Sequence, residues 1–306
     1  MPEGRFRRLL LALPPALAAA LIAAPAAHAG LLFPETGGSP NADSIHTLYV
    51  MVFVLALFIF AGVEGALFYS LWKYRARKGR QAAQIHGNTK LEVGWTVGAA
   101  VILIFITFFT FLMLGSIKNP KPSVVNENGQ PVAMTDGSGY EVASTDITIP
   151  KKGTVMHIAV NGQQYVWRYG YVGKESGSQS ALLAYTDMVV PVGRTVILDI
   201  TADDVVHSWW IPKLGGKFDA VPGYTNKTWF QIPPDAIKPG QKQVVFTGQC
   251  AELCGRNHAN MYARVIGMRM DDYKKWYADK VAAVKAARTK VAAQQKALVA
   301  EQTSGQ

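Results

Sequence analysis

The chain has 306 residues, 49% of them hydrophobic and only 17% charged, enough for one domain of ordinary size together with membrane segments. Its formal charge of +10 invites a nucleic-acid role, but the cations gather at the extreme N-terminus, in a short loop at 73–90 and in the C-terminal segment. None of these carries a nucleic-acid motif with interleaved aromatics, which sets that class of partner aside.

Residues 1–29 read as a signal peptide. Arg5, Arg7 and Arg8 form a basic start, Leu9 to Ala24 an apolar stretch, and Ala27-His28-Ala29 a small-x-small cleavage signature before Gly30. Residues 30–117 are predicted to form a two-helix transmembrane hairpin, with spans at about 48–72 and 95–117. Each meets the ~20 apolar residues that a bilayer crossing needs. Lys73, Arg75, Arg77, Lys78 and Arg80 lie between them, with Lys90 beyond. The positive-inside rule therefore puts this loop in the cytoplasm and everything after Ile117 outside. Glu92, just ahead of the second span, is a carboxylate of the kind a helix N-terminus favours.

A Pro-, Asn- and Gly-rich linker is predicted over 118–140. From 141 to 271, short β-branched and aromatic runs alternate with turn residues. They include 154–160, 164–169, 187–190, 195–200, 227–232 and 243–246. Such spacing predicts an antiparallel sandwich or barrel. Residues 272–306 are rich in Ala and Lys. They are predicted to begin as a docked basic helix and to fray into a mobile tail after Val284, where the apolar stripe fails.

The chemistry concentrates in Gly248–Met261. Cys250 and Cys254, the only two cysteines, stand four apart; His258 follows four later and Met261 three after that. Thiolate, imidazole and thioether make a soft donor set, suited to copper or zinc rather than magnesium or calcium. The thioether favours copper, because methionine is not among the usual zinc ligands. His207, in Asp204-Val-Val-His-Ser-Trp-Trp, ends an apolar strand and is the natural further ligand. The plain alternative, a Cys250–Cys254 disulfide with incidental histidines, leaves His258, Met261 and His207 unexplained.

The pattern C-x-E-x-C-x3-H-x2-M, preceded by H-S-W, resembles the cytochrome c oxidase subunit II family and its binuclear CuA site. The resemblance implies a cupredoxin-like Greek-key barrel with copper held by loops at one end. It implies that both cysteine sulfurs bridge two coppers, with His207 and Met261 serving one, and His258 and the Glu252 carbonyl the other. The Glu252 carboxylate would face a magnesium ion shared with subunit I. Glu92, in an E-x2-W-T pattern, resembles the family's glutamate at the cytoplasmic mouth of a proton pathway.

The segment Gly162 to Tyr171 resembles the family's aromatic region. Tyr165 stands where the family has the tryptophan that receives electrons, and Trp167 lies two residues on. Asp203, Asp204 and Asp219 flank the His207 loop and are the acidic candidates for docking a lysine-rich cytochrome c. The implied protein is subunit II of a respiratory oxidase in a bacterial-type plasma membrane, with its copper domain on the periplasmic side and subunit I, cytochrome c and membrane lipid as partners. Two other classes fit parts of the pattern. A quinol-oxidase subunit II shares the fold but lacks the copper ligands, and a membrane-anchored copper carrier needs only one anchor.

Overall fold

A computed structural model of the chain describes residues 33–76, 79, 81, 84–126, 128–130, 140–144, 147–150, 155–171 and 182–304. The predicted signal peptide lies outside them. Two long apolar helices come first, α1 (Pro40–Lys73) and α2 (Thr89–Lys118), packed on one another as a hairpin. Both begin ahead of their predicted spans. The first turns of α1 serve the outer domain rather than the bilayer: Asn41 Nδ2 donates to the Trp229 carbonyl at 2.8 Å, and Ser39 Oγ accepts from Gln231 N at 3.1 Å. At the start of α2, Asn88 Oδ1 accepts from Leu91 N while Glu92 Oε1 accepts from Asn88 N, both at 3.2 Å. This reciprocal pair acts as a capping box does, with the carboxylate one position later in the helix, and it sets the helix start.

The outer domain holds a five-stranded sheet of order β10-β7-β3-β4-β5, a three-stranded sheet β11-β12-β6, and two small pairs, β8-β9 and β1-β2. The central strands are β3 (Val155–Gln163), β4 (Val166–Tyr171), β7 (Thr195–Ala202) and β10 (Asn226–Gln231). The edge strand β5 is Leu182–Tyr185. The second sheet is built from β6 (Asp187–Pro191), β11 (Gln243–Gln249) and β12 (Tyr262–Met268). The small pairs are β8 (His207–Trp209) with β9 (Phe218–Ala220), and β1 (Tyr140–Ser144) with β2 (Ile147–Pro150). Alternate residues of the facing sheets fill one core: Ile158, Val160, Trp167, Tyr169, Leu198, Phe230, Val190 and Val265 are all buried. A strand presents every second side chain to one face, so this pattern follows from the alternation in the sequence.

Three departures from the expectations are instructive. The sheets are not wholly antiparallel, since β3 pairs with β7 and β12 with β6 in parallel. Gln164 and Tyr165, predicted to open a strand, form the turn between β3 and β4 instead. Partners remote in sequence pin that turn: Gln164 N donates to Asp204 Oδ2 at 2.7 Å and Gln164 Nε2 to the Cys254 carbonyl at 2.6 Å. Finally, the C-terminal segment does not fray at Val284. It forms one 35-residue helix, α3 (Met270–Ser304). Tyr273, Trp276, Tyr277, Val281 and Val284 pack on the core, and helix propensity carries the helix on alone beyond them.

Candidate metal centre

Three backbone ties assemble the site. Gln249 N donates to the Trp210 carbonyl at 3.1 Å, Ala251 N to the Ser208 carbonyl at 2.9 Å, and Cys250 N to the Met261 carbonyl at 2.9 Å. The β11–β12 connection is thereby closed on itself and sewn to the β8 strand that begins with His207. Gly248 makes the approach possible, because a Cβ there would lie 1.9 Å from the Trp210 carbonyl oxygen. A single 3-10 turn, His258–Asn260, then swings His258 back toward Cys254.

The donor atoms converge. Cys250 Sγ lies 3.9 Å from His207 Nδ1, 3.9 Å from Cys254 Sγ and 3.2 Å from the Glu252 carbonyl oxygen. Cys254 Sγ lies 3.6 Å from His258 Nδ1 and 3.8 Å from Met261 Sδ. A disulfide needs sulfurs about 2.05 Å apart, so the two buried cysteines are free thiols and the disulfide alternative fails. His207, Cys250, Cys254 and Met261 are all buried. Two thiols, two imidazole nitrogens, one thioether and one carbonyl around one small volume are a donor set that fits copper. Burial, reinforced by the neighbouring Cys250 sulfur, pushes the Cys254 thiol up to about 11. A metal taken up at neutral pH must therefore displace its proton.

His207 is oriented from behind. Its Nε2 lies 2.8 Å from Asp204 Oδ1, and since a carboxylate only accepts, Nε2 carries the hydrogen and Nδ1 faces the sulfurs. The carboxyl of Asp204 is raised by burial, but bonds from His207, Gln164 N and Val205 N more than offset this and hold it below its ordinary value. Trp167, 0% exposed, meets the His207 ring edge-to-face at a centroid distance of 5.9 Å. Gly162 leaves room for that ring, as a Cβ there would come within 2.9 Å of His207 Cδ2.

The remaining predicted residues are dispersed. Tyr165 is half-buried, its hydroxyl lying over Gly255 beside the copper loop. Asp203 accepts from Asn161 and Gln163 at 2.7 Å and from Arg168 at 3.1 Å, so its carboxylate, like that of Asp204, is engaged within the chain. Asp219 and Glu252 are exposed, and Glu92 is far off in sequence at the start of α2. Sequence reasoning gave Asp204 to docking and missed its hold on His207, although the D-x-x-H spacing carried the signal. It also passed over Gly162, Gln164 and Gly248, whose importance lies in contacts between distant segments.

A cupredoxin-like domain with a sulfur-rich metal centre, carried on two apolar helices, defines a membrane-anchored copper protein of the redox class. Two family profiles match the chain: cytochrome c oxidase subunit II, transmembrane domain, over residues 26–113, and cytochrome c oxidase subunit II, periplasmic domain, over residues 173–267. Cytochrome c oxidase subunit 2 of Cereibacter sphaeroides is 31% identical over 262 residues, covering 79% of this chain and 80% of that protein. The subunit 2 of Alkalihalophilus pseudofirmus is 32% identical over 241 residues, covering 78% of this chain and 58% of that longer relative. Among solved structures, the periplasmic domain of subunit II from Bradyrhizobium japonicum is 28% identical, covering 41% of this chain and 92% of that one with a TM-score of 0.35. The chain belongs to the cytochrome c oxidase subunit II family. It is a membrane protein whose β domain corresponds to the family's periplasmic domain, and the family implies a copper centre at the cluster described above.

Proposed function

We propose that the chain is the electron-accepting subunit of a respiratory cytochrome c oxidase. It takes electrons from a c-type cytochrome and delivers them to a haem–copper subunit I, where oxygen is reduced with coupled proton translocation. The observation that carries this reading is the convergence of His207, Cys250, Cys254, His258, Met261 and the Glu252 carbonyl in loops of a cupredoxin-like domain. Cys250, Cys254, His207, His258, Met261 and the Glu252 carbonyl would hold a copper group of the CuA type, which would supply one-electron redox chemistry with little reorganisation.

The chain's own residues supply the rest. Buried Cys250 and Cys254 keep water from the site, Asp204 fixes the ring of His207, and the Cys250–Met261 backbone bond fixes the loop. Tyr165, half-exposed at the rim, is the contact ring for the donor; Trp167 stands fully buried behind it against His207. The exposed Glu252 carboxylate is assigned to a magnesium ion at the boundary with subunit I, and Glu92 to the mouth of a proton pathway. The basic loop between the two helices and the match to the family's periplasmic domain support a β domain on the periplasmic side of a bacterial plasma membrane. The quinol-oxidase reading fails on the presence of every donor. A carrier must release its metal, whereas four of these donor side chains are buried.

Metal analysis and electron paramagnetic resonance of the purified protein test the proposal. Two coppers per chain with a seven-line mixed-valence signal are expected. One copper per chain, a type 1 or type 2 signal, or a preference for zinc would overturn it.

A further inference from the structure

Glu64 is out of keeping with the membrane helix that carries it. It lies within the apolar run of α1, eight residues before Trp72 at the cytoplasmic end of the span. At ~1.5 Å per residue that is roughly 12 Å inside the hydrocarbon, too deep for a glutamate side chain to reach the interface. Lipid tails supply a carboxyl group with neither water nor a hydrogen-bonding partner. An ionisable residue at this depth therefore turns toward protein or a water-filled cavity.

The chain itself provides no answering group. Among the described residues Glu64 makes no hydrogen bond or ion pair. The nearest charge on α1 is Lys73, nine positions further on, and α2 holds no charged residue between Glu92 and Lys118. The surface around Glu64 is likewise uncovered. Leu57, Phe60, Phe68 and Leu71 follow it at helical spacings of three and four, and all are more than half exposed. A Cβ built on Gly62 or Gly65 would meet nothing within 4 Å, so α2 does not use the close approach that these glycines permit. In membrane helices small residues mark where a second backbone comes near, and polar side chains beside them bond across the contact. Ala61 and Gly65, four apart, stand beside Glu64 in that way. Lipid alone would suit the phenyl rings of this face, but not its carboxyl group.

We infer that in the assembled oxidase the face of α1 from Leu57 to Leu71 is covered by a transmembrane helix of another subunit. That helix closes over Gly65 and answers Glu64 with a hydrogen-bonding side chain in the cytoplasmic half of the bilayer. The partner is defined by its chemistry: a hydroxyl, amide or basic group set in an otherwise apolar helix, level with Glu64. The inference stands on the membrane hairpin and goes beyond the electron-accepting function, which belongs to the outer domain.

Photocrosslinking and detergent dissociation of the assembled oxidase test it. Benzoylphenylalanine incorporated at Phe60 or at Phe68, four residues either side of an unaltered Glu64, should crosslink to a second subunit. Glu64→Leu should favour dissociation of this chain from that subunit by about 3- to 30-fold, the range for one hydrogen bond between membrane helices. Glu64→Gln, which keeps a hydrogen-bonding side chain, should match the parent in both dissociation and turnover. Adducts to lipid alone at both positions, or a Glu64→Leu oxidase as firmly held as the parent, would overturn the inference. A Glu64→Gln oxidase that stays assembled but stops turning over would make Glu64 a proton carrier and overturn it as well. The copper spectrum of the same samples is a separate reading. A parent without a CuA-type spectrum would defeat the electron-accepting function, whereas the crosslinks are read without copper.

Discussion

Replacing Gly162 by alanine should disturb the copper centre although residue 162 donates nothing to it. The new Cβ would lie 2.9 Å from His207 Cδ2, 3.1 Å from His207 Cγ and 3.1 Å from Trp167 Cζ3. Ordinary carbon contacts begin at about 3.5 Å, so roughly half an ångström of overlap must be relieved. Neither ring gives way easily. His207 is held from behind by Asp204 at 2.8 Å, and Trp167 has no exposed surface into which to move. Overpacking of this kind costs about 1–3 kcal/mol, and here the movement falls on a metal ligand. The expected result is a lower thermal midpoint together with a shifted near-infrared band and altered copper hyperfine coupling. Spectroscopy of the copper-loaded protein, followed through a thermal ramp, reads both. An alanine variant with the parent's spectrum and melting point would refute the steric account of why a glycine stands beside His207.

Three other outcomes are expected. Cys250→Ser should abolish the centre, whereas Met261→Leu should keep two coppers with a shifted potential and slower electron transfer, since a thioether is the weaker ligand; copper counts and redox titration would expose an inverted assignment. Glu92→Gln should slow turnover of the assembled oxidase while leaving α2 and the copper spectra intact, because the Gln side-chain oxygen can still accept from Asn88 N; unchanged turnover would leave Glu92 a helix-start residue only. For Asp199, burial raises the carboxyl, but bonds from His157 and Lys227 more than offset it, so its folded pKa lies below the unfolded value. Its stabilisation is then present above the ordinary carboxylate pKa of about 4 and is lost as pH falls through the lower folded value. Asp199→Asn should flatten that part of the acid-unfolding curve, and an unaltered curve would show the pair to be idle.

What could be read from the sequence alone divides along sequence separation. Cys250, Cys254, His258 and Met261 share one loop, so their spacing reports their geometry almost directly, and each donor falls in the cluster. The two membrane helices were legible for the same reason, as a span is a local run of apolar residues. Apart from Asp204, three residues from the His207 it orients, and the unbroken α3, the misjudgements concern partners far along the chain. Gln164 and Tyr165 have neighbours typical of a strand, yet Asp204 and the Cys254 carbonyl, 40 and 90 residues away, make them a turn. The parallel pairings β3–β7 and β6–β12 join segments that no hairpin signal links. Asp203 looks like a free acid beside a metal loop until Asn161, 42 residues earlier, and Arg168, 35 residues earlier, are found bonded to it. A side chain's charge can be read from its name, but its availability cannot. Availability depends on which neighbours the fold supplies, so a docking surface has to be judged from the charges left unpaired after folding.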